Sequence, residues 1–144
     1  MAKLELKALI GLHRTVNAID RESARVCSAA GLTLGQFAVL EALFHKGDLT
    51  VGQVQEKILS SSGTIPLIIR NLEKQGYLVR RHDEVDKRRC ILHLTPKGKE
   101  VVGRVFPENE KAIVEATSCW SDEEKQQLMS LLEKFGGFHH EANH

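Results

Sequence analysis

The segment SSSGTIPLIIRNLEKQGYLVRRHDEVDKRRCILHLTPKG, residues 60–98, changes its periodicity halfway along. Up to Gly76, the residues Ile65, Ile68, Ile69 and Leu72 recur at helical spacing, which predicts a helix over 61–75. Gly76 is a natural stop, because glycine accepts the left-handed backbone at a helix end with little cost. Beyond it, Leu78–His82 and Cys90–Leu94 read as two short strands. Ile91 and His93 fall on one face, Leu92 and Leu94 on neighbouring ones. The polar stretch from His82 to Arg89 makes a hairpin the simplest connection. Thr95-Pro96 then reads as a helix cap followed by proline at the first helical position, where its missing donor costs nothing.

Working outward, both flanks are helical. Leu6, Leu9, Ile10, His13, Val16 and Ile19 define a long amphipathic helix over 4–29, ended by Gly31. Thr33 with Gln36, and Thr50 with Gln53, are capping boxes. The first opens a helix with a buried stripe of Phe37, Leu40, Leu43 and Phe44; the second opens a short helix through Val51, Val54 and Ile58. On the other side, Val101, Val102, Val105 and Phe106 start a helix that bends near Pro107 and continues past Ile113. Ser121 with Glu124 opens a last helix on Leu128, Leu131, Leu132 and Phe135, and the tail frays. The fold class is mainly α with a small β-hairpin. The expected organisation is an N-terminal helix at 1–30, a central domain at 31–95, C-terminal helices at 96–138 and a flexible tail at 139–144.

The chain has 144 residues, 42% hydrophobic and 27% charged, the size and composition of one ordinary globular domain with a core of its own. Its apolar runs are too short for a membrane span, and Lys3, Glu5 and Lys7 break any signal-peptide pattern. The three cysteines, Cys27, Cys90 and Cys119, lie far apart with no CxxC pair, which excludes a disulfide framework and fits the cytoplasm. No histidine pair has metal-ligand spacing on one helix, and His139-His140 lies in the tail; neither a metal nor a cofactor is expected. Net charge is +1, yet residues 80–104 carry 8 basic and 4 acidic side chains, whereas 105–144 carry 3 and 8. A polyanion would meet one local surface and be repelled by the C-terminal stretch.

Three short helices followed by a β-hairpin make a winged helix-turn-helix. Its recognition helix enters a major groove about 12 Å wide. Ser60, Ser61, Ser62 and Thr64 would let the helix start approach phosphates, or simply cap it, and Arg70 and Asn71 add longer donors. At the hairpin tip, Lys87, Arg88 and Arg89 can reach a narrow minor groove, and Asp86 is expected to pair with a neighbouring guanidinium and fix its direction. Double-stranded DNA is thus the expected partner. The apolar stripes of the terminal helices exceed what one small domain covers, so a homodimer on a pseudo-palindromic operator is expected.

From Leu32 to Gly98 the chain resembles MarR-type transcriptional regulators, and the flanking helices extend the likeness over nearly the whole sequence. The match is carried by LTLGQFAVLEAL (32–43), by SSSGTIPLIIRNLEKQGYLVR (60–80) and above all by DKRRCILHLTPKG (86–98). The resemblance implies a bacterial, dimeric regulator, usually a repressor, whose first and last two helices form the dimer interface. It implies that Arg88 enters the minor groove with Asp86 as its partner. It also implies a ligand cleft between dimer helices and DNA-binding lobe, with His13, Val16, Arg21 and Phe44 as candidate lining. The sequence is similar to a branch answering quinones or other reactive phenolics, which makes a small aromatic or quinone-like effector the expected signal. Two positions depart from the family. Pro66 stands where a polar residue is usual and, with Ser61 as the cap, falls in the second turn and removes a helical hydrogen bond. Lys87 replaces a common arginine and loses the bidentate fork.

Two other functions remain open at this level. One is a winged-helix module used only for protein contacts. The other is an enzyme with Cys90 or Cys119 as nucleophile, which has neither an evident general base nor a phosphate loop. Cys27, Cys90 and Cys119 are equally candidates for a redox signal, although several thiol-switch members of the family keep their cysteine near the N-terminus.

Overall fold

Capping chemistry sets the helix boundaries. In a computed structural model, which describes residues 2–58 and 64–135, α1 spans Lys3–Ala29 and α2 spans Leu34–Lys46. Thr33 Oγ1 accepts from the Gln36 N–H at 3.1 Å while Gln36 Oε1 accepts from the Thr33 N–H at 3.0 Å. Strand β1, Leu49–Thr50, leads directly into α3, Val51–Lys57, through the reciprocal pair at Thr50 and Gln53. Helix α4 spans Ile65–Lys74, and the strands β2, Leu78–His82, and β3, Cys90–Leu94, form the hairpin. Helix α5 runs from Pro96 to Ala116 and passes through Pro107 without a break. Ser121 and Glu124 cap α6, Asp122–Glu133.

The sheet has the order β1-β3-β2 and is antiparallel throughout. Leu78 faces Leu94 and His82 faces Cys90, so the hairpin closes over residues 83–89. Strand β1 adds Leu49 opposite Leu92 and Thr50 opposite Ile91. A two-residue strand has no alternation to read, and it exists only because the α2–α3 connection lies along β3. The period of two sends Leu92 and Leu94 into the core, leaving Ile91 and His93 half-buried on the other face.

Two expectations need correction. The fourth helix starts at Ile65 rather than at residue 61: Thr64 is its N-cap residue and the Ile68 N–H bonds the Thr64 carbonyl at 3.0 Å. Pro66 therefore falls in the first turn, where backbone N–H groups have no helical partner to lose, and it breaks nothing. Ser60, Ser61 and Ser62 lie outside the described residues. On α2 the buried arc consists of Gln36, Phe37, Val39, Leu40 and Leu43, broader than the expected stripe, while Phe44 is 43% exposed on the last turn. Its ring meets His45 edge-on, and His45 in turn meets Phe106.

The core sits where α2, α3, α4, the sheet and the first half of α5 converge. Leu40, Val54, Ile65, Ile69, Leu72, Leu78, Leu92 and Val102 are fully buried there. Each such side chain is worth roughly 1.5–3 kcal/mol of transfer free energy. Helix α1 joins this core only near its C-terminal end, through Ser23 and Cys27, and α6 buries no residue within the chain.

Gly98, in the first turn of α5, lies close against the Tyr77 carbonyl at the start of the hairpin. A Cβ at residue 98 would overlap that carbonyl and lie 2.7 Å from Leu94 Cδ1. The expected outcome for Gly98→Ala is a lower urea midpoint at unchanged m, a loss of about 1–3 kcal/mol as for overpacked sites. Gly103→Ala, on the same helix with open space around the new methyl, should instead be neutral or stabilising.

Candidate nucleic-acid interface

Helix α4 is amphipathic because Ile65, Ile69 and Leu72 anchor it in the core. That anchoring turns Pro66, Leu67, Arg70 and Lys74 outward, with Asn71 half-buried at the margin and Thr64 exposed at the cap. Leu67 is 55% exposed. This apolar side chain, held in water one helical turn before Arg70, has a single signal in the sequence, its position off the buried stripe.

The hairpin tip is organised by its two aspartates. One oxygen of Asp86, Oδ1, accepts from both the Arg88 N–H at 3.1 Å and the Arg88 Nε–H at 3.2 Å. These bonds, the guanidinium first and the backbone second, hold the Asp86 carboxyl below the usual carboxylate range. The Arg88 side chain is nonetheless 92% exposed, so it is aimed without being covered. Asp83 closes the base of the loop: its N–H bonds the Arg89 carbonyl at 3.1 Å, and Oδ2 lies 3.5 Å from Arg89 Nη1. The expected pairing of Asp86 with a neighbouring guanidinium is therefore present, and Arg89 turns back to the loop base. Lys87 is exposed on the tip. Pairs this exposed contribute little stability; their effect is on direction. A further pair, Glu73 Oε1 with Arg80 Nε at 3.2 Å, ties the last turn of α4 to β2.

The candidate ligand residues are not brought together. Phe44 lines a cleft of about 220 Å3 with Leu43, Gly47, Asp48, His93, Leu94 and Lys99. His13, Val16 and Arg21 lie exposed along α1 and take no part in that cleft. The cysteines are dispersed in the same way. Cys27 is fully buried and its thiol is pushed up to about 11, by burial first and the nearby Glu41 charge second, so its thiolate is strongly disfavoured. Cys90 is half-buried at the start of β3, opposite His82, and Cys119 is exposed on the turn between α5 and α6. Among the described residues, no group of three His, Cys, Asp or Glu side chains could hold a metal ion. Among the described residues, too, no single helix is long and apolar enough to cross a membrane.

Comparison with known proteins agrees with this arrangement. The MarR family profile matches residues 32–90, the segment from the start of α2 to the end of the hairpin loop. The HTH-type transcriptional regulator MhqR of Bacillus subtilis is 33% identical over 136 residues, covering 94% of this chain and 94% of its own. The fold superposes on a MarR mutant from E. coli complexed with operator DNA, with TM-score 0.81, 23% identity and coverage of 90% and 92% of the two chains. It also superposes on the organohalide-sensing regulator RdhR in its 2,4-dichlorophenol-bound form, with TM-score 0.82, 20% identity and coverage of 93% and 80%. An outward-facing α4 beside a cationic hairpin, on a chain that matches MhqR almost end to end, establishes this protein as a member of the MarR family of winged-helix transcriptional regulators, a family of DNA-binding proteins and not of enzymes.

Proposed function

We propose that the protein is a homodimeric repressor that binds a pseudo-palindromic operator in the cytoplasm and leaves it on a small-molecule or oxidant signal. The observation carrying this reading is Arg88, oriented by two bonds to Asp86 while almost wholly exposed. A flexible cation would be attracted to any phosphate, whereas a guanidinium held in one direction can enter a narrow minor groove at a defined place. Arg70 and Asn71 would read or flank the major groove from α4, with Thr64, Lys87 and Arg89 nearer the backbone, and Leu67 placed to meet a thymine methyl. Ser60, Ser61 and Ser62 belong to the same proposal on sequence alone.

Dimerisation is supported by the exposed apolar rows at the chain ends. Leu6, Leu9, Ile10, Leu12 and Val16 on α1 are 49–57% exposed, Leu131 on α6 is 63% exposed and Phe135 just beyond it 78%. A two-fold axis through these helices would set the recognition helices about 34–36 Å apart, one turn of DNA. This reading divides the chain into a central DNA-binding region, 31–95, between dimerisation regions at 1–30 and 96–138. For the effector, RdhR with bound dichlorophenol supports a small aromatic compound, and His13, Val16, Arg21 and Phe44 remain its proposed contacts across the dimer. Should the signal be an oxidant, Cys90 and Cys119 are the accessible thiols and Cys27 is the disfavoured one.

Fluorescence anisotropy against salt, with a duplex enriched by the protein from a random pool, tests the wing. Arg88→Ala and Lys87→Ala should each lower the slope of log K against log salt by about 1; unchanged slopes in both would remove the wing from the interface. Asp86→Asn should leave the slope intact and lower the preference for the enriched duplex over a scrambled one. The Asp86 carboxyl is depressed in the folded protein, so its bonds to Arg88 are present above the ordinary carboxylate range and fade only as pH falls through the lowered value. Binding between about pH 6 and 8 should accordingly show no contribution from Asp86 titration. For the dimer, Leu9→Asp combined with Leu131→Asp should shift sedimentation to the monomer without unfolding the central region. Separately, Cys27→Ser, Cys90→Ser and Cys119→Ser distinguish the two signals: loss of oxidant-induced release in any one supports a thiol switch, and release retained in all three would leave a non-covalent ligand.

A further inference from the structure

The end of α4 and the start of α5 are locked by three bonds in succession. Lys97 Nζ donates to the Gln75 carbonyl at 2.7 Å, Thr95 Oγ1 to the Gly76 carbonyl at 2.6 Å, and the Thr95 N–H to the Tyr77 carbonyl at 3.1 Å. Three consecutive carbonyls leaving α4 are thus satisfied by residues entering α5. The Lys97 ammonium also lies 5.0 Å from the centroid of the Tyr77 ring. A cation there complements both the negative end of the helix dipole and the ring face. Gly98 completes the contact, since any side chain at that position would strike the Tyr77 carbonyl.

We propose that Lys97 is a specificity-determining positioning residue: it fixes the direction of α4 on α5 and touches no DNA itself. The proposal rests on the DNA-binding reading above. Base readout tolerates little misplacement of the reading helix, whereas phosphate contacts follow a charge wherever it lies. Lys97 is exposed, yet its ammonium is engaged by the Gln75 carbonyl and the Tyr77 ring, so its removal is expected to change the placement of α4 and not the number of phosphates neutralised. Because α5 packs along α1, the joint also refers the direction of α4 to the helices proposed to carry the two-fold axis. The Glu73–Arg80 pair holds the same turn of α4 from the hairpin side.

The test compares Lys97→Met with Lys97→Arg in the full chain, using the duplex enriched by the wild-type protein and a scrambled duplex of equal length. Lys97→Met should lower the affinity ratio between the two duplexes about tenfold, the effect of one charge-assisted bond, with the salt slope unchanged. Hydrogen exchange of the Gln75, Gly76 and Tyr77 amides should quicken in the same variant. Lys97→Arg, which can still donate to Gln75 and stack on Tyr77, should restore both readouts. A slope lowered by about 1 with the ratio preserved would make Lys97 a phosphate contact and overturn the proposal, as would an unchanged ratio. Urea midpoints report folding, and Lys97→Gln substitutes for the methionine variant if that folds poorly. Enrichment of no sequence by the wild-type protein would instead overturn the underlying DNA-binding reading.

Discussion

The Tyr77 carbonyl occupies the space a side chain at residue 98 would need, and the architecture around it follows from that approach. It lets the first turn of α5 lie against the residues leaving α4, so that the carbonyls of Gln75, Gly76 and Tyr77 are taken up by Lys97 and Thr95. The end of α4 is closed by its own C-terminal motif, in which the Gly76 and Tyr77 N–H groups donate to the Glu73 and Leu72 carbonyls. The three carbonyls that follow connect two helices with different tasks. The left-handed turn at Gly76, φ +81°, is what reverses the chain sharply enough to bring those carbonyls within reach. With the exit of α4 fixed, burial of Ile65, Ile69 and Leu72 fixes its rotation, and the outward direction of Leu67 and Arg70 follows.

The hairpin uses a different economy of forces. Its loop has almost no apolar content, and Val85 is 96% exposed, so burial cannot hold its shape. Two aspartates do so locally, Asp83 at the base and Asp86 at the tip, each bonding both a backbone N–H and a guanidinium. In water such pairs add little to stability. They narrow the directions available to Arg88 and Arg89 before any partner arrives, which lowers the ordering cost of binding. The presence of Asp83 and Asp86 in the most basic segment is explained in this way.

Much of this was legible in local sequence, and what was not depends on contacts between distant residues. The three capping boxes at Thr33, Thr50 and Ser121 formed as read, because each is closed within four residues. Both hairpin strands fall on the residues expected, since the loop is flanked by two runs that cannot continue as helix. The start of α4 is not legible in the same way, because serines are good caps in isolation and Pro66 suits a first turn only once Thr64 is the cap residue. Strand β1 left no sequence signal, being made by its neighbour β3. The exposure of Phe44, Leu67 and the Glu73–Arg80 pair likewise depends on which elements cover which, and periodicity carries no such information.

The uneven burial along α1 has the same kind of cause. Its C-terminal end, at Ser23 and Cys27, is covered by the central region, while Leu6, Leu9, Ile10, Leu12 and Val16 are left about half exposed. Capping explains why α6 starts where it does, but α6 has no buried residue to hold it in place. A helix of twelve residues without tertiary burial is marginal in water. The apolar groove of about 460 Å3 between the start of α1 and α6, lined by Leu12, Trp120, Leu128 and Leu132, shows where the missing burial is available. In the proposed dimer a second copy would supply it with the same leucines it seeks to cover, which is how a two-fold interface closes on itself. The order of α6 and the spacing of the two recognition helices would then have one origin, so that a signal loosening the first would alter the second.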